Sequence, residues 1–223
     1  MKKYVLILIY IVLSSSLKSQ TMQYSFGVSS SNIKTSEQDT SNNANYNPLI
    51  GINLSFATTS SINEKISLVS EFSFNQKGYI KDWDAIVNEW DMSTVRMQEK
   101  SKENFLQFTQ LVEFHVNEKL SLSFGPYIEC FLEGRYLLRD EQGNDIYNDT
   151  FSDQNGAFFN NDYGIGFKDR INYGINLASS YQIYKNLLFR AGYSITDILN
   201  NDKLTVFNKM NYLFLNISLK IEL

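Results

Sequence analysis

The chain has 223 residues, of which 43% are hydrophobic and 20% are charged, and its formal net charge is −4. This acidic balance argues against a nucleic-acid partner, because phosphate binding needs a basic surface. The single cysteine, Cys130, cannot form an internal disulfide, so the sequence predicts no disulfide framework.

The first residues have the pattern of an export signal. Lys2 and Lys3 precede an uncharged apolar run over residues 4–13, and serines follow at 14–16. A basic start, a short apolar run and a small-residue exit are typical of a secretory signal peptide. The alternative is a membrane anchor, but a helix needs roughly 20 apolar residues to span a bilayer. We expect cleavage after Ser19, with 1–19 as the signal peptide and 20–223 as one domain.

Apolar residues then recur at every second position, which predicts strands with two chemically distinct faces. About eight such segments of roughly ten residues follow one another, and this is the length that a tilted strand needs to cross a bilayer. The segments are Tyr24 to Val28, Ile50 to Phe56, Ile66 to Phe74, Phe108 to Val116, Leu120 to Leu132, Ile171 to Tyr181, Leu187 to Ile195 and Leu213 to Leu223.

The connections alternate between short and long. Short polar turns lie at 60–65, 117–119 and 184–186, whereas 32–46, 79–104, 140–168 and 200–208 are longer. This asymmetry is typical of outer-membrane barrels, with tight periplasmic turns and larger external loops. The sequence therefore predicts an all-β fold, an eight-stranded antiparallel up-and-down transmembrane β-barrel in the outer membrane of a Gram-negative bacterium. A soluble lipocalin-like barrel would have the same strand count but an apolar interior.

Three stretches carry a resemblance to a known family. They are Glu71 to Gly78 (EFSFNQKG), Gly125-Pro126-Tyr127, and Arg190 to Ile198 (RAGYSITDI). In these the chain resembles the PorT-like outer-membrane β-barrel family, also described as porin family proteins. The resemblance implies an outer-membrane barrel and implies little about activity, because one fold hosts many functions.

Alternation assigns each side chain to lipid or lumen, and a slip of one residue would reverse every assignment. Near the carboxyl end we place Phe189, Ala191, Tyr193 and Ile217 against lipid, and Arg190, Gly192, Ser194 and Asn216 in the lumen.

Charged residues on the inward face form a predicted lumen charge network. Two interpretations remain open, either an ion or proton path with switchable pairs, or a structural network that replaces an apolar core. Its predicted members are Glu71, Glu113, His115, Glu129, Glu133, Arg135, Arg190, Lys220 and Glu222.

No catalytic, cofactor or metal site is predicted. His115 is the only histidine, shares a face with Glu113, and has no serine tied to it by sequence. A serine triad needs a geometry that spacing alone does not give. We therefore expect a non-enzymatic protein.

Two of the long connections have distinctive compositions. One is acidic, and calcium binding is possible there, but the spacing does not match an EF-hand and favours a solvated loop. The other is apolar among charges and could form a short amphipathic helix that binds a partner or caps the barrel. The acidic set is Asp140, Glu141, Asp145, Asp149, Asp153 and Asp162; the apolar set is Trp83, Ile86, Val87, Trp90 and Met92.

These features favour a structural or surface-interaction role for the barrel. Its expected partners are outer-membrane lipid and an unidentified protein or surface ligand at the external loops. The alternative is passive porin-like transport of small solutes or ions through the lumen. Bulky Tyr127, Phe131 and Phe214 on the inward face favour a filled interior over a channel.

Overall fold

The computed structural model describes residues 21–33, 45–88, 93–151, 171–196 and 210–222, and these form nine β-strands. The strands are β1 (Thr21–Ile33), β2 (Asn45–Ser61), β3 (Ile66–Asn88), β4 (Ser93–His115), β5 (Leu120–Arg139), β6 (Asp145–Phe151), β7 (Ile171–Tyr184), β8 (Leu187–Thr196) and β9 (Met210–Glu222). Within these ranges no helix is long and apolar enough to cross a membrane.

Eight of the strands close into a ring by antiparallel pairing. Strands β1 to β5 pair in chain order, β5 then pairs with β7, and the order continues through β8 to β9. Pairing of β1 with β9 closes the ring. Strand β6 stands outside the ring and pairs with residues 134–139 at the end of β5. The predicted eight-stranded antiparallel barrel is confirmed.

The two faces of the barrel follow the predicted parity. Ile217 is 58% exposed on the outside, whereas its neighbour Asn216 is 1% exposed in the interior. Likewise, Phe189 and Tyr193 are exposed and Arg190 and Ser194 are buried. Ala191 and Gly192 are both half-buried. The apolar face is therefore outward, which argues against the soluble barrel with an apolar interior.

Repeated Asn-Glu-Lys sequences form the same tight turn twice. Asn63 Oδ1 accepts hydrogen bonds from the backbone N–H groups of Lys65 and Ile66, each at 2.9 Å. Asn117 Oδ1 accepts the equivalent pair from Lys119 and Leu120 at 2.9 and 2.8 Å. Because the asparagine side chain satisfies the turn's own donors, the sequence repeat marks a reversal of the chain.

Two long connections differ from their prediction, because 140–168 contains strand β6 and most of 79–104 belongs to β3 and β4. Strands β3 and β4 have 23 residues each and stay paired from Ile66 opposite Phe114 up to Asn88 opposite Ser93. Residues 79–88 and 93–104 are thus strand, not loop. The predicted helix is wrong at Trp83, Ile86 and Val87, which lie in β3, because ladder hydrogen bonds pair this segment with β4. Trp90 and Met92 lie outside the described residues.

A β-bulge in β5 reverses the faces of its outer end. Asn104 pairs with Glu133 and Phe105 with Phe131, so Leu132 is the extra residue. An extra residue re-aims every side chain beyond it. Glu133 and Arg135 were predicted to face the lumen; the structure instead places them exposed on the outer face.

Candidate functional site

Two buried ion pairs among the described residues lie in the barrel interior, and the first joins β3 to β8. Arg190 Nη1 donates to Glu71 Oε2, and both side chains are almost completely buried. The guanidinium carbon lies 5.4 Å from the centre of the Phe214 ring. The predicted network thus contains Glu71 and Arg190 as direct partners, although 119 positions separate them in sequence.

The second ion pair joins β3 to β5. Lys77 Nζ lies 2.5 Å from Glu129 Oε2, and both groups are buried. The ammonium group also lies 4.2 Å from the ring centre of Tyr212, 4.9 Å from that of Phe105 and 5.9 Å from that of Tyr127. Aromatic faces attract cations, so these rings and the carboxylate together offset the desolvation of Lys77.

Lys77 was not among the predicted members of this network, and neither was Glu103. Glu103 is buried and accepts a hydrogen bond from Ser101 Oγ at 3.1 Å, while its Oε2 has no partner among the described residues. The alternation in the sequence includes both residues. Lys77 is separated from Glu71 by an even number of positions, so both face inward, and Glu103 lies two positions before the inward-facing Phe105. The predicted strands ended too early to include either residue.

Amide side chains form a hydrogen-bonded chain across the lumen. Asn216 Nδ2 donates to Asn53 Oδ1 at 2.5 Å, and Asn53 Nδ2 donates to Asn75 Oδ1. Asn75 Nδ2 donates to Gln107 Oε1 at 3.0 Å, and the same oxygen accepts from Tyr212 OH at 2.6 Å. These side chains link four strands and leave little room for a continuous path.

Bulky side chains complete the filling of the interior. Tyr127, Phe131 and Phe214 are buried, as predicted. Phe131 belongs to a cluster with Tyr79, Phe105 and Met210 toward the long-loop end, against which Tyr46 and Tyr136 also pack. The lumen is a packed polar and aromatic core with ion pairs inside it.

A cavity of about 180 Å³ lies at the short-turn end, and three predicted network members line it. These are Glu113, His115 and Lys220. His115 Nε2 lies 2.9 Å from Ser67 Oγ, while Ser121 Oγ donates to Glu113 Oε1 at 2.6 Å. Ser67 therefore contacts His115, although the sequence spacing did not indicate a serine partner for this histidine. The side chain of Glu222 lies outside the described residues.

Carboxylates of the acidic connection stabilise a local turn. Asp140 accepts hydrogen bonds from Asn144 Nδ2 at 2.9 Å and from the Asn144 backbone N–H at 2.7 Å, and these bonds lower the pKa of Asp140. Asp145 pairs with Arg139 at 2.8 Å. Asp153, Asp162 and the side chain of Asp149 lie outside the described residues. In the described part, no group of three or more His, Cys, Asp and Glu residues is arranged to hold a metal ion.

Comparison with known proteins gives the family. Residues 18–200 match the family described as outer membrane protein beta-barrel domain. The chain belongs to this family. It is therefore an outer-membrane β-barrel protein located in the outer membrane. No curated protein sequence matches it.

Several solved outer-membrane barrels are similar to this family member. The attachment invasion locus protein Ail of Yersinia pestis is 14% identical, with 91% of this chain and 99% of that chain covered and a TM-score of 0.46. OprG of Pseudomonas aeruginosa is 11% identical, with coverages of 92% and 98% and a TM-score of 0.40. Neisserial surface protein A is also 11% identical, with coverages of 91% and 97% and a TM-score of 0.40.

The outer-membrane location orients the barrel. Strand ends Thr21 and Glu222 pair with each other at the end that carries the short turns 62–65, 116–119 and 185–186. Short turns face the periplasm in such barrels, and longer connections face outward. The extended ends of β3, β4 and β5, together with β6, therefore lie on the external side.

Proposed function

We propose that this barrel is a non-enzymatic surface-interaction protein whose external strand extension is the working surface. The observation that carries the proposal is the length of β3 and β4, at 23 residues each. At about 3.3 Å per residue they run roughly 75 Å, and tilted by about 40° they still rise well beyond a hydrocarbon core of about 30 Å. A hydrogen-bonded sheet outside the membrane is a rigid platform for binding.

An aromatic and cationic cluster on this extension is the candidate contact surface. Lys81 Nζ lies 5.4 Å from the ring centre of Tyr46 and 5.8 Å from that of Trp83. The buried indole N–H of Trp83 has no hydrogen-bond partner among the described residues. Tyrosine and tryptophan are enriched at binding hot spots, and a buried N–H without a partner favours an acceptor from a bound molecule. We call Tyr46, Lys81 and Trp83 the rim cluster.

Packing of the interior supports this role over passive transport. Ion pairs at Glu71 and Arg190 and at Lys77 and Glu129 span the lumen, and amide and aromatic side chains occupy the space between them. A barrel of about eight strands is just wide enough to be filled by its own side chains. Solute passage would have to displace buried, paired charges.

The Ser67 and His115 contact does not favour an enzyme. Ser67 is buried on the inner face, where membrane lipid does not reach it. The nearby carboxylate of Glu113 accepts a hydrogen bond from Ser121. A triad needs an acid that orients the histidine, and preorganised donors for an oxyanion. We assign the contact to the structural network at the periplasmic end.

Two finer assignments rest on the sequence alone. We propose that residues 1–19 are a signal peptide removed on export, because they combine a basic start with a short apolar run. We also propose that the chain is a PorT-like member of its family, on the basis of the motifs at 71–78, 125–127 and 190–198.

Site-specific photo-cross-linking in intact cells tests the surface role. A photoreactive phenylalanine analogue replaces Tyr46 or Trp83 in the rim cluster, and Tyr193, an outward aromatic of the barrel, serves as the control. We expect one defined protein or polysaccharide adduct from the rim positions and lipid adducts from Tyr193. The transport alternative would be favoured if the rim positions gave no specific adduct and the reconstituted protein mediated sugar uptake by liposomes.

A further inference from the structure

An open groove of about 640 Å³ lies on the outer wall of the barrel, where strands β5, β7 and β8 run side by side. Because the protein lies in the outer membrane, this wall faces hydrocarbon. The sides of the groove are large outward-facing side chains, each between 40% and 49% exposed, namely Phe114, Leu122, Phe124, Leu177, Tyr193 and Leu213. The wall therefore has a deep apolar depression at this place.

Two small residues create the floor of the groove. Ser179 on β7 and Ala191 on β8 are directly opposite each other in the strand pair. The next outward positions on both sides of them carry much larger side chains, which are Leu177 and Tyr181 on β7 and Phe189 and Tyr193 on β8. The depression exists because two short side chains lie together among long ones.

The groove lies in the periplasmic half of the membrane. Strands β7 and β8 form a hairpin whose short turn contains Lys185, and Lys185 follows Ser179 by six positions. At about 3.3 Å per residue and a tilt of about 40°, the floor of the groove is roughly 15 Å above this turn. The hydrocarbon core is about 30 Å thick, so one leaflet contributes about 15 Å. An acyl chain anchored in the periplasmic leaflet can therefore reach the groove.

The turn below the groove suits a phospholipid head group. Tyr184 is 72% exposed, and Lys185 is exposed beside it. Tyrosine is enriched at the level of lipid head groups, and a lysine near the membrane surface attracts anionic lipid. Residues 171–196 include no Asp or Glu. In the neighbouring turn Glu118 precedes Lys119, so that turn adds no net charge.

We propose that this groove holds an acyl chain of a phospholipid in the periplasmic leaflet, with the phosphate beside Lys185. A narrow, flexible chain fills the depression above Ser179 and Ala191 and contacts the large side chains on both sides of it, so that dispersion contacts accumulate along its length. Lipids of the external leaflet are anchored at the opposite end of the strands. The bound lipid would be ordered against this wall, unlike the lipids on the rest of the barrel.

Native mass spectrometry of the purified barrel in detergent, titrated with palmitoyl-oleoyl phosphatidylglycerol, tests the proposal. Ala191→Phe fills the groove with a ring. The control, Ile52→Phe, introduces a ring at an outward position of β2 that is 41% exposed and does not line the groove. We expect about tenfold weaker binding for Ala191→Phe, because the ring displaces about two methylene groups of the chain from contact with the protein. Ile52→Phe should bind as the parent does.

Chain length and head-group variants separate the two ends of the site. Dihexanoyl phosphatidylglycerol has chains too short to reach the groove, so it should bind the parent and Ala191→Phe equally. Lys185→Gln should weaken binding of both lipids about fivefold, because one lysine beside an anionic head group contributes about that factor. Lys65→Gln, in the turn between β2 and β3, should leave both affinities unchanged.

Several results would overturn the proposal. Heat-modifiable gel mobility shows that a variant is folded, and Ala191→Leu replaces Ala191→Phe if the latter is not. Equal binding of the long-chain lipid by the parent and the filled variant, or an equal loss for both chain lengths, would exclude an acyl chain in the groove. Tighter binding of lipid A with the same sensitivity to Ala191→Phe would assign the groove to the external leaflet. A parent dimer that Ala191→Phe dissociates, with unchanged lipid affinity, would identify a second copy as the occupant.

Discussion

Replacing Arg190 by methionine removes the cation from a buried ion pair while keeping an unbranched side chain. The change leaves the Glu71 carboxylate in the interior without its partner, and it removes the contact between the guanidinium group and Phe214 at 5.4 Å. Removing one partner of a buried pair costs about 3 to 5 kcal/mol, because the remaining charge stays desolvated. We expect Arg190→Met to lower the free energy of unfolding by that amount.

The complementary variants separate desolvation from lost packing. Glu71→Leu should be destabilising to a similar degree, because it leaves Arg190 unpaired. The double variant should lie within about 1 kcal/mol of the parent, since an apolar pair of similar volume replaces a buried ion pair at little cost. Reversible unfolding in detergent or lipid, read by gel mobility and tryptophan emission, gives the coupling energy of this cycle.

The same substitution at an exposed ion pair is the control. Arg139 and Asp145 pair at 2.8 Å, but their side chains are 42% and 46% exposed. Surface pairs contribute less than about 1 kcal/mol, so Arg139→Met should have little effect. If Arg190→Met is as harmless as Arg139→Met, the interior is water-filled and the structural role of the pair is refuted.

Three further predictions follow from the faces and the filling of the barrel. Ile217→Arg should lower the free energy of unfolding by about 2 to 4 kcal/mol if the site lies near the bilayer middle, whereas Ile62→Arg in a periplasmic turn should change it little. Equal losses of stability would contradict the assignment of Ile217 to lipid. Asn216→Ser should lower the free energy of unfolding by about 1 to 3 kcal/mol, because it removes the 2.5 Å hydrogen bond to Asn53 in the interior. Reconstituted protein should show no stable conductance for large solutes, and sugar uptake by proteoliposomes would contradict a packed lumen.

The membrane-spanning part of the fold was predictable because two environments impose a strict alternation. Lipid requires apolar outward side chains such as Phe189 and Ile217, and the narrow lumen accepts polar ones such as Arg190 and Asn216. The Asn-Glu-Lys turns were predictable because a short side chain satisfies the local backbone.

Outside the bilayer this constraint disappears. Along β3, Lys81, Asp82 and Trp83 mix charge and aromatic character on both faces, so alternation no longer distinguishes strand from loop. The strands were therefore predicted too short, and Lys77 and Glu103 were missed as interior charges. The bulge at Leu132 could not be predicted from the sequence for another reason. One extra residue changes the register of the strand pair without changing the composition of the segment.

Pairing of the interior charges depends on closure of the ring. Glu71 and Arg190 lie on strands that are not adjacent, and they meet only across the lumen. Sequence could assign each of them to the interior but could not pair them, because strand tilt and register determine which side chains lie at the same level.

Quenching of tryptophan emission by lipid tests the orientation of the barrel wall most directly. In a Trp83→Phe and Trp90→Phe background, a single tryptophan replaces either Ile217 or Ile62, which are 58% and 60% exposed and differ in their position along the barrel. Lipids brominated in their acyl chains should quench the tryptophan at 217 strongly and leave the one at 62 nearly unchanged, because only the first faces hydrocarbon. Equal quenching at the two positions, or none at 217, would contradict a transmembrane barrel with its apolar face toward lipid.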